Sequence, residues 1–309
     1  MVQGTIREVY GISPVKNKPL VAYFTIIALL SAGFIVLMKS LGQKGNYIAA
    51  LYMLGPAIAA ILTRMLFCER KLKDANLKFG KAIDYLKYWA VALGVTILSL
   101  AVCALLGSIK WDLSGQVFLS QLAQQFALTG QNMNDLPAGP TPQVMLIIYF
   151  IGGLTAFNIL PGIITGFGEE FGWRGFMFPR MYRIKPWIAF IIGGLIWYAW
   201  HIPLVLVIPQ TQSFTLALTV LNVAVLAVGS ICTHTCLAYV YAKSENVWVT
   251  SVAHATLDNV ARSFAYFAIM QNQIAANMGL TITMLIVVVF LFFSKEWKVF
   301  ESYFGREVL

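Results

Sequence analysis

The sequence predicts an all-α protein, built as a bundle of about eight transmembrane helices. Three observations support this fold class: 59% of the residues are hydrophobic, only 11% are charged, and the apolar residues come in long blocks. A soluble domain carries about 25% charged residues, so this chain has too little charge to cover a water-facing surface of its size.

Each apolar block approaches the ~20 residues that a helix needs to cross ~30 Å of hydrocarbon. The first block is too long for a signal peptide and lacks a small-residue cleavage site, so we count it as a span. No soluble segment or internal repeat separates the blocks, and residues 1–309 are therefore interpreted as a single transmembrane domain. The predicted spans are Leu20–Met38, Tyr47–Phe67, Leu86–Leu106, Val144–Leu160, Trp187–Val207, Leu216–Ala242, Val247–Ile269 and Met278–Phe293.

The distribution of basic residues predicts the orientation of the chain. With the N-terminus placed in the cytoplasm, 18 of the 22 Lys and Arg residues fall on the inner side, three fall on the outer side, and Arg262 lies within a span. This bias is the positive-inside signal of membrane proteins. Both termini are therefore predicted to be cytoplasmic, in a multi-pass protein of the cell membrane. The net charge of +9 is then explained by basic residues on the inner side of the lipid bilayer, and no nucleic-acid partner is expected.

Two further regions have more than one interpretation. The outer segment Ser108–Gln143 contains an apolar stretch, Val117–Leu128, for which a short interfacial helix is one possibility. Cys232 and Cys236 flank His234, which is suggestive of a metal site. On a helix the two cysteines share one face and the histidine points away, so packing roles are favoured.

Ionisable side chains within apolar helices are costly and are candidates for function. Glu169 and Glu170 are followed by Arg174, and the four-residue spacing with the acid first favours a Glu170–Arg174 ion pair. Adjacent helical residues point ~100° apart, so Glu169 is free to face another helix and is a candidate general base. Glycines recur around these residues at four-residue spacing, which lets helices approach closely: Gly162 with Gly166, and Gly168 with Gly172.

A histidine on the next predicted helix lies at the same depth. The intervening turn is Arg183–Pro186; Glu170 precedes Ile184 by 14 residues, and His201 follows Pro186 by 15. In an antiparallel hairpin this mismatch of one residue is roughly 1.5 Å. The glutamates and His201 are therefore predicted to meet.

The third polar cluster lies near the inner end of the seventh predicted span. His254 and Asp258 share a helix face, and Arg262 continues that face. One interpretation makes His254 part of the site. The other is an Asp258–Arg262 ion pair with His254 as a bystander.

Together these clusters resemble the CPBP family of intramembrane proteases, which includes the type II CAAX prenyl endopeptidases and the Abi bacteriocin-immunity proteins. The family pattern is Glu-Glu-x-x-x-Arg, then an aromatic residue followed by x-x-x-His, then His-x-x-x-Asn or Asp, on successive helices. The resemblance covers about residues 144–270, which we interpret as the catalytic core. The matching residues are Glu169, Glu170 and Arg174, then Trp197 and His201, then His254 and Asp258.

The resemblance implies an endopeptidase that acts on a membrane-associated peptide or protein, with a site that opens to the cytoplasmic side. Glu169 would activate a water molecule with help from His201, while Glu170, Arg174 and Trp197 would support them. His254 and the residue at position 258 would stabilise the oxyanion.

Asp258 departs from the commoner Asn of the family pattern. An ionised carboxylate cannot donate a hydrogen bond to an oxyanion. Three interpretations follow: Asp258 orients His254, Asn259 replaces it as the donor, or Asp258 is protonated.

Two alternative functions remain open at this point. A metal-dependent membrane protease could hold zinc with Glu169, His201 and His254, and Asp258 could add a further ligand. The sequence lacks the His-Glu-x-x-His spacing, so we expect no metal and no other cofactor. A non-catalytic immunity or binding protein on the same scaffold is the other alternative.

Overall fold

The computed structural model describes most of the chain. The described ranges are 17–42, 49–68, 72–73, 75–128, 142–157, 159–207 and 214–305. The two termini, several of the basic residues that predict the orientation, and part of the 108–143 segment lie outside these ranges.

Within the described ranges the chain is almost entirely helical, as predicted. Two π-helical turns interrupt the helices, at Trp173–Met177 and Ile188–Ile192. The elements are α1 (Lys18–Leu41), α2 (Ala49–Tyr52), α3 (Gly55–Phe67), α4 (Ala82–Leu105), β1 (Ile109–Trp111), α5 (Gln116–Leu128), α6 (Pro142–Leu154), α7 (Ile159–Gly172), α8 (Phe178–Ile184), α9 (Gly193–Val207), α10 (Leu216–Ser244), α11 (Val247–Phe264), β2 (Ala268–Met270), α12 (Gln273–Phe293) and α13 (Lys298–Phe304).

The chain is a multi-pass membrane protein. Five helical stretches are long and apolar enough to cross a bilayer, one of them composed of more than one described helix, and two shorter apolar helices accompany them. The exact number of eight crossings and the cytoplasmic termini stay predictions. The five long segments are Lys18–Leu41, Ala82–Leu105, Gln143–Ile184, Leu216–Ser244 and Gln273–Phe293; the shorter two are Gly55–Phe67 and Ile188–Leu204.

The predicted bounds of the fourth span were wrong. Val144–Leu160 is not one helix, because α6 ends at Leu154 and α7 begins at Ile159. The backbone N–H of Phe157 donates to the carbonyl of Gly152 at 2.7 Å, which closes a turn between the two helices. The helical segment that carries the glutamates instead runs from α7 through the first π-helical turn into α8. It ends at Ile184, next to the predicted turn.

Two short strands were not predicted. β1 pairs antiparallel with β2, with Lys110 opposite Ile269, and they follow α4 and α11 respectively. Both of these helices therefore end on one side of the bundle, which we call the strand end. At the other end, Trp248 at the start of α11 donates its indole N–H to the carbonyl of Leu77 at 3.1 Å. α4 and α11 thus run in the same direction between the two ends of the bundle.

The helix that carries the glutamates packs between two others through its glycines. A Cβ atom on Gly166 would lie 3.0 Å from the carbonyl oxygen of Ser251 in α11. A Cβ atom on Gly172 would overlap Pro56 in α3. The predicted glycine faces are therefore helix contacts, and they bring α7 close enough to its neighbours for short side chains to meet.

The apolar stretch of the outer segment is helical. It forms α5, whose Phe118 and Leu122 are buried against Leu146 of α6.

Candidate active site

Glu169 lies in a pocket of aromatic hydrogen-bond donors. Its Oε2 atom accepts from the indole N–H of Trp197 at 2.6 Å and from the indole N–H of Trp173 at 3.3 Å. Its side chain is only 5% exposed. An indole N–H can only donate, so both contacts require this oxygen to be an acceptor. The pocket therefore fixes the position of this oxygen.

His201 lies beside Glu169, as the matched depths predicted. Its Nε2 atom is 3.8 Å from Glu169 Oε2, and its side chain is 33% exposed. Its Nδ1 atom is 2.8 Å from the carbonyl oxygen of Trp197. A carbonyl only accepts, so Nδ1 carries a proton, and in a neutral ring Nε2 is then an acceptor that faces Glu169. A separation of 3.8 Å is too long for a hydrogen bond, yet one water molecule can contact both groups.

Glu170 has a different set of partners. Its Oε1 atom is 2.7 Å from Nη1 of Arg174, which is the predicted ion pair. The same oxygen is 2.7 Å from Nδ1 of His254 on α11. Glu170, Arg174 and His254 are all buried. Arg174 also donates to the carbonyl of His234 at 3.4 Å and lies over the ring of Trp197 at 4.9 Å.

His254 bridges two carboxylates. Its Nδ1 atom contacts Glu170, and its Nε2 atom is 3.0 Å from Oδ2 of Asp258. With both carboxylates ionised, both contacts are hydrogen bonds only when the ring is doubly protonated. The interpretation of His254 as a bystander is therefore wrong.

The structure also decides where the two residues at positions 258 and 259 point. Asp258 faces His254 and is 56% exposed. The side-chain amide of Asn259 lies against Gly162 of α7, seven residues before Glu169. Of the three interpretations of position 258, the geometry favours an Asp258 that orients His254.

Trp173 was missed from the sequence, and His234 was considered there only together with its two flanking cysteines. Trp173 stands four residues after Glu169, as Arg174 stands four after Glu170, so the same spacing rule could have found it. His234 is fully buried beneath Phe178 and Trp197, and neither ring nitrogen has a hydrogen-bond partner within the described residues. The backbone carbonyl of His234 accepts from Arg174, and such a backbone contact has no signal in the sequence.

A cavity of about 600 Å³ opens next to these residues. Trp197 and His201 of α9 and His254 and Asp258 of α11 form part of its lining. The remaining walls come from α4, α10 and α12, and the lining reaches Met270 and Gln273 at the strand end. The cavity thus connects the histidines with the end of the bundle that carries the strands.

A metal site requires three or more ligand side chains grouped around one point. No three His, Cys, Asp or Glu side chains of the described residues form a group that could hold a metal ion. Oε2 of Glu169 is already directed at two indole N–H groups. The metal-free site stays a prediction.

These features define a class of protein: a multi-pass helix bundle with a buried carboxylate–histidine site beside a cavity. The family described as "Type II CAAX prenyl endopeptidase Rce1-like" matches residues 143–260, which include all three polar clusters. Residues 143–260 of the chain are therefore similar to this family of CAAX proteases. No curated protein matches the chain.

Proposed function

We propose that this protein is an intramembrane endopeptidase in which Glu169 activates water for the hydrolysis of a peptide bond. The family is one of membrane proteases. The observation that carries the mechanism is the 3.8 Å separation of Glu169 Oε2 and His201 Nε2, with His201 on the cavity wall. A water molecule held between these atoms faces two proton acceptors at once.

Glu169 is the better base of the two in this arrangement. Both indole donors are neutral and contact only Oε2, so the carboxylate can still accept the water proton. His201 holds the water in position through its Nε2 lone pair. After attack, the proton on Glu169 passes to the leaving amine, which restores the carboxylate.

His254 is the proposed donor to the oxyanion. Its Nε2–H group faces Asp258, so donation to a substrate requires that Asp258 share or release this contact. Asp258 is more than half exposed, whereas His254 is buried, so Asp258 is the partner of this pair with room to change its side-chain position. The role of Asp258 is thus to hold His254 in the donating orientation until substrate arrives.

The side from which substrate enters is a separate proposal. The resemblance implied a cytoplasmic opening near the membrane face. Glu170 precedes the end of α8 by 14 residues, about 21 Å of helix, so the reaction would lie nearer to mid-bilayer. The cavity reaches the strand end, which is the outer side if the N-terminus is cytoplasmic.

Labelling of single engineered cysteines decides this orientation. Ser40 and Glu301 are both exposed and lie at opposite ends of the predicted topology. In a background without the four native cysteines, Ser40→Cys should react with an impermeant reagent from outside, and Glu301→Cys only from inside. The reverse pattern would make the strand end cytoplasmic and bring the cavity into agreement with the resemblance.

A cleavage screen tests the function itself. Candidate membrane peptides are incubated with the wild type and with Glu169→Ala, and bound metal is measured on the same samples. Cleavage by the wild type alone, in metal-free protein that resists chelators, supports the proposal. Activity that is lost with chelator and returns with stoichiometric zinc identifies a metalloprotease. A wild type that binds peptides and never cleaves them identifies a binding protein.

A further inference from the structure

Two helices that contribute nothing to the carboxylate–histidine site still line the cavity with uncharged polar side chains. We call these five residues the polar wall: Thr96 and Ser99 of α4, and Gln273, Asn277 and Thr281 of α12. Their spacing of three or four residues places each set on one helix face. All five lie outside the segment that matches the family.

Ser99 is the member of the polar wall that most clearly lacks a partner. It is 6% exposed, and its hydroxyl makes no hydrogen bond within the described residues. The hydroxyl of Thr96, one turn earlier, donates to the carbonyl of Ala92 at 3.0 Å, which is the usual solution in a membrane helix. A buried unsatisfied hydroxyl costs ~1–3 kcal/mol. Because Ser99 lines the cavity, rotation about its Cα–Cβ bond would bring the hydroxyl to a ligand that supplies the missing hydrogen bond.

The α12 side of the wall presents carboxamides. Gln273 Nε2 donates to Asn277 Oδ1 at 3.1 Å, and Asn277 Nδ2 donates to Asn222 Oδ1 at 2.8 Å. Each of these bonds uses one of the two N–H groups of the donating amide. The ladder therefore fixes the orientation of the side chains and keeps both donor and acceptor capacity for a further partner.

The position of the wall is fixed by close backbone contacts. A Cβ atom on Gly229 of α10 would lie 2.6 Å from the hydroxyl of Thr281. A Cβ atom on Gly279 would overlap the sulfur of Cys103 on α4. α12 is thus held against α4 and α10, and the polar wall is a preformed surface.

We infer that the polar wall binds the main chain of an unwound peptide segment. This inference rests on the proposed function, because attack on a peptide carbonyl requires that the segment leave its helical conformation. Within a bilayer, every backbone N–H and C=O group freed in this way needs a protein partner. Hydroxyl and carboxamide groups both donate and accept, so they match a peptide backbone of any sequence.

Other occupants fit the cavity less well. A lipid acyl chain would leave the Ser99 hydroxyl unsatisfied. Among the described lining residues, the polar wall carries no charge, and the groups that are charged or can become so near neutral pH are Asp258 and the two histidines of the site. The volume of about 600 Å³ is in the ~300–1,000 Å³ range of ligand pockets. The substrate class is therefore a short extended segment with uncharged side chains.

The test measures binding without cleavage. The Glu169→Gln protein, in detergent, is titrated with a fluorescent capped hexapeptide of alternating Leu and Gly. A second peptide has the same side chains and N-methylated amides, which removes the backbone donors. We expect the unmodified peptide to bind about tenfold more tightly, and Ser99→Ala to remove about tenfold of its affinity while leaving the methylated peptide unaffected.

Two further variants complete the design. Asn277→Leu should weaken the binding of the unmodified peptide, as Ser99→Ala does. Thr219→Ala removes a hydroxyl of α10 that does not line the cavity, and it should leave the affinity of both peptides unchanged. Equal binding of the two peptides, or binding of neither, would overturn the inference. A failure of the proposed function gives a different result. The Glu169→Gln protein would then still cleave peptides, while the difference in affinity between the two peptides would remain.

Discussion

The two adjacent glutamates occupy contrasting surroundings. Glu169 lies in what we call the indole pocket, formed by Trp173 and Trp197, where both of its observed donors are neutral. Glu170 lies in what we call the ion-pair cluster, with Arg174 and His254, where its partners are cationic or can become so. Each glutamate finds one partner four residues later on its own helix and another on a facing helix.

The difference teaches how neighbouring carboxylates acquire separate roles. A neutral donor stabilises a carboxylate while leaving its charge uncompensated, and such a group can still accept a proton. A carboxylate between a guanidinium and an imidazole has its charge matched, and it serves to fix the helices that hold it. We therefore propose that Glu169 in the indole pocket acts as the base, whereas Glu170 and Arg174 of the ion-pair cluster stabilise the fold and hold His254 in place.

The largest expected effect tests this division directly. Glu169→Gln should lower the cleavage rate by ~10²–10⁴ or more, because it removes the general base. Its thermal stability in detergent should match that of the wild type, since Gln still accepts from both indoles. Cleavage rates and melting temperatures measured on the same preparation check both the loss of activity and the unchanged stability. An unstable Glu169→Gln protein beside a stable, inactive Glu170→Gln protein would reverse the assignment.

The next effect concerns stability. Glu170→Gln leaves Arg174 without its ionic partner at a fully buried position, and breaking such a pair costs ~3–5 kcal/mol. Arg174→Ala should show the same loss of stability. Both variants should also lose activity, as a consequence of the altered fold. Denaturation measured by a probe of tertiary structure checks this, with Glu169→Gln as the matched control. A loss below about 1 kcal/mol in both variants would contradict the cluster's structural role.

A smaller effect is expected from the indoles themselves. Trp197→Phe keeps an aromatic ring and removes the 2.6 Å donor to Glu169, and hydrogen bonds to charged groups contribute ~1.5–3 kcal/mol. We expect a rate loss of about 10- to 100-fold. Trp173→Phe removes the longer 3.3 Å contact and should cost less. Trp248→Phe, in the aromatic stack with Phe79 and Phe167, is the control and should retain activity. Equal effects of all three would mean that the indole N–H groups are not specific to the site.

The sequence predicted those contacts of the two glutamates that are set by the spacing of residues along the chain. The Glu170–Arg174 pair follows from four-residue spacing, and the meeting of Glu169 and His201 follows from equal distances to one turn. The all-α class follows from composition. These predictions depend only on the helix repeat and on the cost of exposing charge to lipid.

The parts that the sequence did not predict depend on how separate helices approach. His254 was expected to join the site as an oxyanion donor or a metal ligand, but its hydrogen bond to Glu170 was not predicted, because that contact is set by the packing of α11 on the glycines of α7. The polar wall was missed for a different reason. Its members are neutral and scattered among apolar residues of α4 and α12, so they have no motif and become a group only in three dimensions.

The smallest effect comes from an exposed ion pair, which sharpens the contrast with the buried cluster. Lys243 Nζ is 2.7 Å from Glu296 Oε2, and the side chains are 34% and 43% exposed. Such a pair contributes about 0–1 kcal/mol, so Lys243→Ala should destabilise the protein by no more than that. Lys39→Ala, at the far end of the bundle, controls for the loss of one positive charge.

The pH dependence of this pair has a definite sign. The hydrogen bond from Lys243, followed by that from the hydroxyl of Tyr239, lowers the pKa of Glu296 below its ordinary value. A lowered carboxyl pKa contributes stability above the unfolded-state pKa, about 4.3 for Glu, and that contribution is lost as the pH falls through the folded-state value. The stability difference between wild type and Lys243→Ala should therefore be present at neutral pH and shrink in acid. Unfolding titrations at both pH values measure it, and a difference that grows on acidification would show that Lys243 acts through another partner.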